Sequence, residues 1–151
     1  MNKKFQSDPI APMHTTEHIL NQTMVRMFGC PRSRNAHIER RKSKCDYILD
    51  EEPTPQEVHK IEQTVNDIIG RNLPVTEVWM PLKEAAEIVD LSKLPEQVPD
   101  VLRIIRVGDY DVCACSGKHV DNTSAIGRFE ITTHTFADGI WRVRFRLRDQ
   151  E

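Results

Sequence analysis

The sequence predicts a single α+β domain in which two long helices pack on an antiparallel sheet. Three observations carry this expectation. Two segments repeat apolar residues at helical spacing, and a glycine closes each. The final third instead alternates apolar and polar residues in runs broken by Gly108-Asp109 and Asp138-Gly139, dipeptides suited to tight hairpins. A length of 151 residues, with no internal repeat, suits one core.

Taken in order, residues 1–12 read as an irregular N-terminal arm, because Pro9 and Pro12 oppose an early helix, and residues 13–151 read as the folded domain. From His14 to Phe28 the chain is helical, with Leu20, Met24, Met27 and Phe28 on one stripe and Gly29 and Pro31 as the stop. Ala36 to Arg40 and Cys45 to Leu49 read as short paired strands. Thr54-Pro55-Gln56-Glu57 is a capping box with proline at the first helical position. Behind it, Val58, Ile61, Val65, Ile68 and Ile69 give an apolar face that Gly70 and Pro74 end. Val75 to Met80 reads as a strand, Pro81 to Val89 as a short helix, and Pro95 to Pro99 as a connection. Two hairpins follow: Val101–Val107 with Tyr110–Cys115, and Gly127–Ala137 with Ile140–Leu147.

Composition excludes collagen-like, low-complexity and fully disordered chains. No apolar run approaches the roughly 18 residues of a membrane span, and the start lacks the apolar core of a signal peptide. The expectation is a cytoplasmic protein with no membrane partner and its four cysteines reduced. The net charge of −2, from 21 basic and 23 acidic residues, argues against extended duplex DNA as a partner. That average conceals a basic tract, Arg32, Arg34, Arg40, Arg41, Lys42 and Lys44, and an acidic stretch behind it. It also conceals an arginine face, Arg142, Arg144, Arg146 and Arg148, alternating with Val143, Phe145 and Leu147. These cations suit phosphate contacts; the alternative is a solvated sheet face with cross-strand ion pairs.

The chemistry concentrates in two half-motifs. His14 and His18 are four apart on the first helix, so both rings can reach one ion. Cys115 and His119 are four apart where a strand ends in a glycine-bearing turn. Three nitrogens and one sulfur suit tetrahedral zinc, which places a zinc site between the first helix and a strand end. A buried free cysteine beside a surface histidine is the plainer alternative. Cys113 points to the same face as Cys115, either as a substitute ligand or as a small buried side chain. His14-Thr15-Thr16-Glu17-His18 also fits the H-x-x-E-H pattern of inverted zinc peptidases, with Glu17 as general base or as a carboxylate behind the ligands.

H-x-x-x-H followed about a hundred residues later by C-x-x-x-H resembles the editing domain of alanyl-tRNA synthetase and its free-standing AlaX relatives, with the threonyl-tRNA synthetase editing domain a more distant cousin. The resemblance rests on His14–Leu20, on Cys115-Ser116-Gly117-Lys118-His119-Val120, and on Thr123–Phe129, which resemble H-T-x-x-H-L-L, C-G-G-T-H-V and T-G-E/D-I-G-x-F. The stretch from Ile61-Glu62 through Asn72-Leu73-Pro74-Val75 is similar as well, so the likeness spans residues 13–148. The chain departs from the pattern at Ser116, Lys118 and Ala125, and Arg40 stands where a pocket glutamine is usual.

The resemblance implies that His14, His18, Cys115 and His119 hold zinc. It implies a trans-editing aminoacyl-tRNA deacylase that hydrolyses the ester of mischarged tRNA, Ser-tRNA(Ala) foremost. Glu17, Arg40 and Thr123 are the expected catalytic residues. A hydroxyl partner for serine is sought among Thr15, Thr16 and Thr123. Arg32, Arg34, Arg41, Lys42, Lys118, Arg142 and Arg144 are the expected contacts to the tRNA acceptor end. Alternatives are a non-catalytic, zinc-stabilised module that binds tRNA or a synthetase, and a zinc peptidase. Whether zinc keeps an open position for water stays undecided at this level.

Overall fold

The computed structural model describes residues 9–89 and 99–149. Helix α1 spans Ala11–Phe28 and ends at Gly29, whose left-handed φ of 67° lets its N–H reach the Val25 carbonyl. It starts three residues earlier than the expected His14, so Ala11 and Pro12 belong to the helix and not to an arm. Proline in the first turn forfeits no hydrogen bond, and its fixed φ suits a helical start. Residues 1–8 of the expected arm lie outside the described residues. Helix α2, Pro55–Gly70, carries the full capping box: Glu57 N–H donates to Thr54 Oγ1 at 3.1 Å and Thr54 N–H to Glu57 Oε1 at 2.8 Å.

The expected single sheet is two. Strands β1 (Asn35–His37), β2 (Lys42–Ile48), β6 (Arg128–Ala137) and β7 (Ile140–Arg148) form a four-stranded antiparallel sheet in the order β1-β2-β7-β6. Strands β3 (Val75–Pro81), β4 (Val101–Val107) and β5 (Asp111–Ala114) form a three-stranded antiparallel sheet in chain order. Hairpin turns fix local pairing, but the chain between β5 and β6 is occupied by an irregular loop and a 3-10 turn at Thr123–Ala125. Pairing therefore stops at β5 and restarts at β6.

Alternation sorts the larger sheet into two faces. Cys45, Tyr47, Phe129, Trp141, Val143 and Phe145 are buried and join Met13, Ile19, Leu20 and Met24 of α1 and Ile61, Val65, Ile68 and Ile69 of α2 in the main core. Asn66 of α2 fixes this packing by bonding both the N–H and the carbonyl of Phe129 at 2.8 Å. A second cluster, Ala85, Leu102 and Ile104, packs with Met80, Leu82, Val89, Val112 and Ala114 around the short helix α3, Leu82–Ala85. The regular helix is shorter than the expected Pro81–Val89, and Ala86–Val89 continue it as hydrogen-bonded turns, with the Ile88 and Val89 N–H groups both donating to Ala85 O at 3.1 and 3.0 Å. Of the connection expected at Pro95–Pro99, only Pro99 is among the described residues.

The two hairpins differ. Asp138 and Gly139, at φ 53° and 76°, form the expected two-residue turn of the primed type. At the other, Val107 pairs with Asp111, so the loop is three residues, Gly108 to Tyr110. Tyr110 leaves the strand because its hydroxyl bonds Thr23 Oγ1 of α1 at 2.7 Å. No helix among the described residues is long and apolar enough to cross a membrane.

Candidate metal centre

Helix α1 supplies His14 and His18 one turn apart; the loop leaving β5 supplies Cys115 and His119. The ligand atoms of these four residues all lie within 4.8 Å of one another. Cys115 Sγ stands 3.5 Å from His14 Nε2 and 3.5 Å from His119 Nε2. Metal–nitrogen bonds of about 2.1 Å and a metal–sulfur bond of about 2.3 Å give a tetrahedral N···S edge of about 3.6 Å. The donor set and the two measured N···S distances thus suit a metal ion.

Each ligand is oriented from behind. His119 Nδ1 contacts Thr15 Oγ1 at 2.9 Å, and the same hydroxyl accepts the Val120 N–H at 3.2 Å. Nε2 of His119 is thereby turned toward Cys115. The Lys118 carbonyl hydrogen-bonds the His14 ring, and Gly117 N–H points at Cys115 Sγ from 3.4 Å. A Cβ on Gly117 would overlap the His14 imidazole, so only glycine lets that ring lie over the loop. Arg103 clamps the loop by donating to the carbonyls of Cys115 at 3.0 Å and Gly117 at 2.6 Å.

His18 is held differently. Its Nδ1 is buried without a hydrogen-bond partner and faces Asp111 Oδ2 at 3.7 Å. Asp111 is itself fully buried and accepts from Arg32 at 2.6 and 3.3 Å and from Gln22 at 3.1 Å. A buried carboxylate behind a metal-ligating imidazole is the arrangement that fixes its tautomer and orientation. Burial pushes the His18 pKa well below its ordinary value, and burial with the His14 and Arg103 charges takes His119 down to about 3. Both imidazoles therefore stay neutral, as ligands must. For His14, burial is outweighed by its hydrogen bond and charge interaction with Cys115, by Glu17 and by the Lys118 carbonyl, and its pKa rises.

A cavity of about 200 Å³ opens on His14, His18 and Cys115 of this cluster and is also walled by Glu17, Asn21, Arg32, Ser33 and Cys113; His119 lies behind it. Glu17 Oε1 lies 3.5 Å from His14 Nε2. Cys113 is on the wall and outside the four-residue cluster, with its thiol pushed up to about 11 by burial. Asn21 Oδ1 accepts from Tyr47 Oη at 2.6 Å and Ser33 N at 3.3 Å, which turns its amide N–H groups elsewhere.

Several expected site residues fall elsewhere. Thr123 is fully buried and its hydroxyl bonds Ile69 O and Leu73 N, so it joins α2 to the chain entering β3 and does not line the cavity. Thr16 donates to Pro12 O, and Thr15 serves His119, so none of the three threonines is left for a substrate hydroxyl. Arg40 is exposed between β1 and β2 and is not on the cavity wall. Arg32 pairs with the buried Asp111 and lines the cavity, and the partly exposed Arg142 pairs with Asp46. Arg146 and Arg148 pair with Glu130. Arg34, Arg41, Lys42 and Lys118 are exposed, and Arg144 faces Lys44 across β2 with no carboxylate partner among the described residues. Asp111, Arg103 and Asn21 are absent from the expectations drawn from sequence. Only Asn21 leaves a trace there, three residues past His18 on the same helical face.

Residues 102–144 match the family described as the threonyl and alanyl tRNA synthetase second additional domain. The alanine–tRNA ligase of Treponema denticola is 30% identical over 140 residues, 91% of this chain and 23% of the ligase. That of Geobacillus kaustophilus is 32% identical over 133 residues, 83% of this chain and 14% of the ligase. The Bacillus subtilis ligase is 30% identical over 123 residues, 81% and 14% respectively. The chain thus spans a quarter or less of the length of these curated relatives.

Proposed function

We propose that this chain, a relative of the alanyl-tRNA synthetases that carries the second additional domain of the threonyl and alanyl enzymes, is a zinc-dependent deacylase of mischarged tRNA acting in the cytoplasm. One observation carries the reading: a cluster of three histidines and one cysteine presents His14, His18 and Cys115 to a small cavity that Glu17 also lines, in a chain of this ancestry. His14, His18, Cys115 and His119 would hold the ion, and three nitrogens with one thiolate favour zinc. When bound, zinc would supply Lewis-acid polarisation at the cavity mouth by expanding its coordination, since four protein ligands leave no open position for a water.

The chain's own residues do the rest. Glu17, beside His14 at the cavity wall, accepts the proton of the attacking water. An aminoacyl ester is already activated, so orientation in a shielded site supplies much of the remaining acceleration. A cavity of about 200 Å³ takes a small amino acid and rejects bulkier ones. None of the three threonines lines the cavity, whereas Asn21 does, and its amide is the proposed donor to a seryl hydroxyl. Such a partner discriminates more strongly than a methyl-sized difference in an apolar pocket. Arg34, Arg41, Lys42, Lys118 and Arg144 are the cations proposed to contact acceptor-end phosphates.

Release of serine from Ser-tRNA(Ala) tests the reading. The wild-type chain should accelerate it and Cys115→Ala should not; absence of release by the zinc-loaded wild type refutes it. Arg40, Ser116, Lys118 and Ala125, where the family pattern has other residues, favour a second reading as a tRNA-binding module. That reading expects tRNA retention with no serine released. A peptidase would require an acidic metal ligand in place of the Cys115–His119 half of the cluster.

A further inference from the structure

The chain has two tryptophans, and they are used in opposite ways. Trp141 is fully buried in the main core, whereas Trp79 is 63% exposed, more than any other large apolar side chain among the described residues. Trp79 pairs directly with Arg103 across β3 and β4. On the far side of β4, Ile104 pairs with Ala114 and Cys115 N–H donates to Arg103 O at 3.2 Å, which continues the ladder by one residue. Trp79, Arg103 and Cys115 therefore stand in one row on one face of the small sheet. Two strand spacings place the indole about 10 Å from the candidate metal ligand.

A groove of about 750 Å³ runs along this row, lined by Trp79, Pro99, Val101, Arg103, Cys115 and Ser116. Cys115 lines both this groove and the smaller cavity, so the two meet at the candidate metal centre. Arg103 at the floor is committed to Glu77 and to the Cys115 and Gly117 carbonyls. What the groove offers a ligand is therefore a flat π-face and apolar walls, with the local cation already spent on the loop.

We propose that this groove seats the terminal nucleobase of an RNA 3′ end, stacked on the Trp79 indole, with the attached ribose directed toward Cys115. The inference rests on the deacylase reading and specifies how its substrate is gripped. The occupant follows from continuity: an ester on a terminal ribose that enters the small cavity leaves its base within one nucleoside of the ligands, where the apolar groove lies. Stacking of a base on an exposed aromatic side chain is tolerant of sequence and substantial per base.

The test uses the fluorescence of the intact, zinc-loaded chain. Because Trp141 is buried, a ligand in the groove reports through Trp79 alone. Titration with the trinucleotide CCA should give saturable quenching that ribose 5-phosphate does not, and that disappears in Trp79→Phe. In serine release, Trp79→Ala should raise KM about 5- to 150-fold with kcat nearly unchanged, and Trp79→Phe should restore most of the loss. Serine release with no CCA quenching and an unaltered KM in Trp79→Ala overturns the groove and leaves the deacylase standing. Quenching without serine release supports the nucleobase seat and removes the deacylase. Equal quenching by ribose 5-phosphate assigns the contact to phosphate and overturns the proposal.

Discussion

Replacing Asp111 with asparagine removes a single buried charge that two functional groups share. The carboxylate is fully buried, receives both terminal nitrogens of Arg32, and faces the unpartnered Nδ1 of His18. Asparagine keeps the shape and one acceptor but leaves the Arg32 guanidinium, only 18% exposed, without a counter-charge. Removing one partner of a buried pair costs about 3–5 kcal/mol, and the surviving acceptor puts this case near the low end, at about 3 kcal/mol. For a chain of this size that is a fall in Tm of about 6–12 °C. Urea or thermal unfolding in the presence of a chelator measures it. The double variant Arg32→Met/Asp111→Leu removes both charges and should recover most of the stability, because an apolar pair of similar volume is often neutral. Its zinc affinity, read by competition with a chromogenic chelator, should nevertheless stay about 10–100-fold below wild type, since His18 has lost the carboxylate behind it. A stability change under about 0.5 kcal/mol in Asp111→Asn, or wild-type zinc affinity in the stable double variant, would refute the reasoning.

Gly117→Ala should lower zinc affinity more than tenfold while leaving the unfolding midpoint of the chelator-treated protein nearly unchanged, because the new methyl displaces the His14 ring and not the core; unchanged affinity would show that the ring has room to move. The metal-free protein should be most stable near pH 6.5. Below that pH the unfolded chain protonates His18 and His119 while the folded chain resists, down to about pH 3 for His119, so each removes up to about 1.4 kcal/mol per pH unit. Above it, the raised His14 pKa makes the opposite contribution: stability fully present below 6.5 is lost as pH climbs through the folded value. Urea midpoints across pH 4–9 with and without His119→Gln check both limbs, and a flat acid limb in the wild type contradicts them.

Much of this was legible because it is local. The capping box at Thr54, the turn at Asp138-Gly139 and the i, i+4 histidines are each decided within a few residues. Cys115 and His119 were legible for the same reason, and only their meeting with α1 required the fold. The misassigned residues were decided at long range. Arg32 looked like part of a basic tract until Asp111, 79 positions away, neutralised it. Thr123 looked like a pocket hydroxyl until its bonds to Ile69 and Leu73 spent it, and Tyr110 left its strand for Thr23, 87 positions away. The division into two sheets was invisible because nothing in the local sequence tells a strand which distant hairpin to ignore.

The contact of Thr15 with His119 and Val120 bears on how the centre is supplied. This hydroxyl joins α1 to the β5 loop by bonds that need no ion, and the main core closes over helix and sheet independently of the ligands. A scaffold joined in this way is expected to fold without metal, unlike small zinc domains that fold only around their ion. If zinc is the ion, occupancy would follow free zinc by mass action, and so would the added stability, growing with the logarithm of zinc concentration above the dissociation constant. On the proposed zinc reading, a folded reserve would load when zinc is plentiful and idle intact when it is scarce, so the centre would gauge supply as well as act on substrate.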